Sequence, residues 1–64
     1  MMDLAEVFPP GTTVRVAGKG GKGLGTVGDA VRDKNGHAYA VQVTWTKFPV
    51  RTLESRSTIR KADR

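Results

Sequence analysis

Valine recurs at every second position in two places along this chain, at Val14 and Val16 and again at Val41 and Val43, with Arg15 and Gln42 between. A period of two puts alternate side chains on opposite faces of a β-strand. The first run predicts a strand from about Thr12 to Ala17, with Val14 and Val16 on one face and Thr13 and Arg15 on the other. The longer run sets Tyr39, Val41, Val43 and Trp45 against Ala38, Ala40, Gln42 and Thr44. Its odd-numbered set predicts the core face, with Trp45 its largest member. A further strand is predicted from about Gly25 to Arg32, where Val27 and Val31 share a parity around Asp29 and a bulge is expected near Gly28. Val50 to Ser55 predicts a fourth strand. Ser57 to Ile59 reads as a single helical turn leading into a last strand at Ile59–Lys61.

The breaks between these runs are as informative as the runs. Asn35-Gly36 favours the positive φ angles of a type I′ turn and predicts a tight hairpin. Pro9-Pro10 stop a weakly helical start (Asp3, Leu4, Ala5, Glu6). Residues 1–10 then form either a frayed arm or one turn that caps an open barrel end with Leu4, Val7 and Phe8. The barrel itself is assigned to residues 11–61 and a basic tail to 62–64. The fold class that follows is all-β: a small, five-stranded, half-open barrel with a short N-terminal arm.

Sixty-four residues allow one domain, and no cysteine is present to brace a small core with disulfides or thiolate-bound zinc. No apolar run approaches the roughly 20 residues of a membrane span, and the first ten lack the pattern of a secretory signal. The expected location is cytoplasmic. Eleven Lys and Arg against six Asp and Glu give a net charge of +5. Asp3 and Glu6 both precede Phe8, so the remainder is more basic still. Such a balance favours an anionic partner, nucleic acid first and an acidic protein surface second; solubility alone is the plain alternative.

Between Val16 and Thr26 lie five of the eight glycines, interleaved with Lys19 and Lys22. Bare backbone N–H groups and two ammonium groups can approach a phosphate there, although a crossover between strands needs the same glycines for steric reasons. Gly18 to Gly23 also fits the string G-x-G-x-x-G, but a strand rather than a helix follows it, which excludes a dinucleotide site. Gly11, Val14, Val16, Lys22-Gly23, and Gly25 followed by Val27 resemble a KOW-type element over 17 residues, and the strand order resembles the SH3-like barrel. In place of the element's usual Pro-aromatic step stands Gly20-Gly21. The resemblance implies a barrel of the kind common in proteins that handle RNA, ribosomes and transcription complexes; others of this fold bind proteins. The plasmid-borne type II dihydrofolate reductases share the barrel, but their Val-Gln-Ile-Tyr strand would fall on Val50-Arg51-Thr52-Leu53, which has neither the glutamine nor the tyrosine.

His37 has no second His or Cys with which to hold a metal, Ser55 and Ser57 have no evident base, and no carboxylate pair is placed for acid–base work. No catalytic residue, cofactor or metal site is therefore assigned. Tyr39 and Trp45 are expected in the core. Phe48, in a loop between Lys47 and Pro49, either stacks a ligand or folds over the barrel end. The expected function is a non-enzymatic barrel that grips nucleic acid, DNA or RNA, mainly by its phosphates. Its candidate residues are Lys19 and Lys22 in the glycine loop, Arg15, Lys47 and Arg51 in support, and Phe48. The alternative is a protein-interaction adaptor using a strand edge or the groove near Phe48 and Trp45, and a third reading is a scaffold-like accessory protein of a phage or plasmid. The sequence leaves the oligomeric state open.

Overall fold

A computed structural model describes residues 3–18 and 21–62. After a single helical turn, α1 (Leu4–Val7), come β1 (Thr13–Val16), β2 (Gly25–Arg32), β3 (Ala38–Trp45), β4 (Thr52–Glu54) and β5 (Ile59–Lys61). All neighbouring strands pair antiparallel in one five-stranded sheet, ordered β4-β3-β2-β1-β5. The sheet curls into a half-barrel, consistent with the SH3-like architecture expected. No helix among the described residues is long and apolar enough to cross a membrane.

The concave face closes over Val14, Val27, Val41, Val43, Trp45 and Ile59, and Leu4 of α1 and Phe8 just after it add to it from the open end. The N-terminal turn is thus a cap. Asp3 fastens it: one carboxylate oxygen accepts the Ala38 N–H at 2.8 Å and the other meets Arg32 Nη1 at 3.1 Å. The Ala38 N–H, with help from the Arg32 charge, holds the Asp3 carboxyl below its ordinary value despite an opposing desolvation. Trp45 is buried as predicted, and its Nε1–H donates to Thr52 Oγ1 at 2.7 Å. Thr52 in turn donates to Glu54 Oε2 at 2.5 Å, so the indole nitrogen has a partner inside the fold.

The bulge near Gly28 is present, since Val27 pairs with Val43 while Ala30 pairs with Val41. The extra residue turns Ala30 toward the core in place of Val31, which shared Val27's parity in the sequence. A second irregularity sets Val31 opposite Ala40 and Arg32 opposite Ala38, leaving Tyr39 without a partner. Tyr39 is consequently 59% exposed, which corrects the core position expected from its parity.

The hairpin also departs from the two-residue turn expected of Asn35-Gly36. Gly36 N–H donates to Asp33 O at 3.0 Å and Asp33 N–H to His37 O at 2.9 Å. The turn is therefore centred on Lys34 and Asn35, and Gly36 follows it at φ 84°, the three-residue loop with a left-handed glycine. Asp33 selects this form, because its Oδ1 accepts both the Asn35 and the His37 N–H. The fourth strand is shorter than Val50–Ser55, and Val50 stands exposed before it. The late turn spans Ser55 to Thr58 rather than Ser57 to Ile59, closed by Thr58 N–H on Ser55 O.

Candidate nucleic-acid interface

The end of the barrel where the glycine loop returns to the sheet is built by continuing the β2–β3 ladder beyond Trp45. Thr46 N–H donates to Leu24 O and Lys47 N–H to Lys22 O, both at 2.9 Å, and Leu24 N–H reaches Thr46 Oγ1 at 3.2 Å. Gly23 sits in this stitch at φ 75°, where a Cβ would run into the Thr46 hydroxyl and come within 3.0 Å of Lys47 Cγ. The returning arm of the loop is thereby fixed against Thr46 and Lys47 instead of standing free in solvent.

Fixing Lys22 beside Lys47 has a consequence for the next residue. Lys22 Nζ lies 4.9 Å from the centroid of the Phe48 ring, within the range of a cation–π contact. Phe48 remains 40% exposed, so part of its ring is open to solvent. Next to this pair runs an open groove of about 580 Å³, lined by Arg15, Val16 and Gly18 on one side and Gly23, Leu24, Thr46 and Lys47 on the other. Two cations distant in sequence, Arg15 on β1 and Lys47 just past β3, thus share one groove, and a third, Lys22, is joined to Lys47 through its backbone carbonyl and stands against an aromatic ring.

Arg51 is placed apart. It lines a smaller depression of about 290 Å³ with Gln42, Thr52 and Leu53, and its Nη1 points to Gln42 Oε1 at 3.5 Å. Lys19 lies outside the described residues. A further cation was not singled out from the sequence: Arg60, which β5 sets directly opposite Arg15. Alternation alone places Arg60 on the face away from Ile59, but its neighbour depends on the β1–β5 pairing, which joins residues 45 positions apart and leaves no local trace.

The groove is electrostatically unbalanced. Among the described residues the one ion pair is Arg32 with Asp3, at the far end of β2. Among the described residues Arg15, Lys47 and Arg60 have no carboxylate within salt-bridge distance. Such a surface attracts anions, and its open, mixed lining suits an extended polyanion better than an enclosed small molecule. Among the described residues no group of three or more His, Cys, Asp or Glu side chains is placed to share a metal ion. Compared with known proteins, the chain matches no family model, no curated protein and no solved structure.

Proposed function

We propose that this chain is a non-enzymatic basic barrel that binds nucleic acid, DNA or RNA, mainly through phosphate contacts. The observation that carries the reading is the convergence of Arg15 and Lys47 on one groove, with Lys22, bonded through its carbonyl to the Lys47 N–H, held over the partly exposed ring of Phe48. Cations in the groove attract the backbone, and the free part of the Phe48 ring stacks a base without regard to sequence. The KOW-like spacing of Gly11, Val14, Val16, Lys22-Gly23 and Gly25 supports the same reading.

The test is an anisotropy titration of labelled DNA and RNA oligonucleotides, with heparin as competitor, at several salt concentrations. Binding should weaken steeply with salt, and Lys22→Gln with Lys47→Gln should weaken it about equally for all sequences. The slope should flatten by close to two units on duplex DNA, since each neutralised phosphate contributes roughly 0.9. Unchanged affinity and slope in that variant would remove the groove from the function.

A second reading, a protein adaptor, is favoured by one observation. Val50 and Leu53, 61% and 60% exposed, flank the start of β4, an edge strand. Exposed apolar side chains beside an open strand edge suit an extended peptide. Such a partner would survive high salt and be lost on Leu53→Ala, outcomes opposite to those expected of the groove.

A further inference from the structure

Arg15 and Arg60 occupy paired positions on β1 and β5, with Val14, Val16 and Ile59 turned to the core and both arginines exposed. Directly opposed residues on one face of an antiparallel pair have Cβ atoms about 4.5–5.5 Å apart, and like charges so placed are destabilising. Neither guanidinium has a carboxylate partner among the described residues. A charge on β5 alone would be enough to protect an edge strand from pairing with another chain. Arg15, however, belongs to β1, which is an interior strand and has no edge to protect. It also lines the groove that contains Lys47. A repulsive pair with one member lining a basic groove is explained when an anion enters between its members.

We propose that Arg15 and Arg60 form a clamp for a single phosphodiester group, and that this is where the nucleic-acid backbone crosses from β5 into the groove. The inference rests on the nucleic-acid reading above and adds Arg60 to the interface. Guanidinium groups suit the task because their planar forks donate two parallel hydrogen bonds to phosphate oxygens, which an ammonium cannot do. Two forks closing on one phosphate satisfy its oxygens, and the single negative charge placed between them offsets their mutual repulsion.

The experiment compares Arg15→Gln, Arg60→Gln, the double variant, Arg60→Lys and, as a control, Lys47→Gln in duplex titrations between 50 and about 200 mM salt. Each arginine variant should lose affinity, and the double should lose less than the product of the two single losses. Its salt slope should fall by about 0.9, the contribution of one phosphate, rather than about 1.8. Arg60→Lys should recover only part of the affinity, because it restores charge without the fork. Melting curves at low salt should show every variant folded, with Arg60→Gln melting no lower than the parent. The clamp is overturned if Arg60→Gln binds as the parent does while Lys47→Gln weakens binding. It is equally overturned if the two losses multiply and the slope falls by about 1.8, which would mean two separate phosphates. A parent chain that binds no nucleic acid at any salt would instead overturn the functional reading, and the clamp with it.

Discussion

Trp45 shows most directly how a single residue shapes this molecule. Its ring fills the concave face while its Nε1–H is carried by Thr52 and, through it, Glu54. Trp45→Ala should cost about 3–5 kcal/mol, much of what a domain of this size has. Trp45→Phe should cost less but still about 1 kcal/mol beyond its lost area, since Thr52 loses its donor. Denaturant melts of both variants check the order. Gly25 lies beneath the same ring: a Cβ there would fall 2.8 Å from Trp45 Cε3 and 2.9 Å from Cζ3. The same Cβ would also run into Val43 Cγ1, so Gly25→Ala should destabilise by about 1–3 kcal/mol through overpacking, and a neutral result would show that the ring and Val43 can both shift. Trp45 was legible because the strand alternates from Val41 onward; before it the alternation breaks, and Ala40, expected to face away from the core, is buried beside Val41. Tyr39 carries the same parity yet lies outside, because its orientation is decided by a bulge against β2 and not by its own neighbours.

At the scale of elements, turns and caps depend on particular polar contacts. Gly36 has open space around it, so the cost of replacing it is backbone strain alone. Gly36→Val should lose about 1–2 kcal/mol, the ordinary penalty for a side chain in left-handed backbone, and Gly36→Asn much less. Thermal melts of the two variants measure the difference. The hairpin was legible from Asn35-Gly36, but its length was set by Asp33, whose carboxylate captures two N–H groups and favours the longer loop. The N-terminal cap has its own signature. Asp3 has a lower pKa folded than unfolded, so its contribution to stability is complete above the ordinary value of 3.8 and fades as pH falls through the depressed folded value. Stability measured from pH 6 downward should therefore drop less steeply at its acid end in Asp3→Asn than in the parent. Identical acid limbs would mean that the cap is held by Leu4 and Phe8 alone. That Leu4, Val7 and Phe8 close the barrel end was readable from their apolar character ahead of Pro9-Pro10; that Asp3 reaches Ala38 was not, because the contact spans 35 positions.

For the molecule as a whole, a net charge of +5 says little until the fold distributes it. Pairing β1 with β5 sets Arg60 opposite Arg15, the groove joins Arg15 to Lys47, and the extended β2–β3 ladder joins Lys47 to Lys22, while the one ion pair among the described residues forms elsewhere. The sequence alone identified Arg15, Lys22, Lys47 and Phe48 as candidates from charge and loop context. It did not separate Arg51, which β4 carries to a different depression, nor include Arg60. Charge type is local and readable; which charges share a surface is a property of strand pairing. The most direct measurement of the central claim is an amide chemical-shift titration of the labelled protein with a short oligonucleotide, at low and at high salt. The expected shifts are confined to Arg15, Lys22, Leu24, Thr46, Lys47, Phe48 and Arg60 and collapse when salt is raised. Shifts centred instead on Gln42, Arg51 and Leu53, or none at any salt, would contradict that claim.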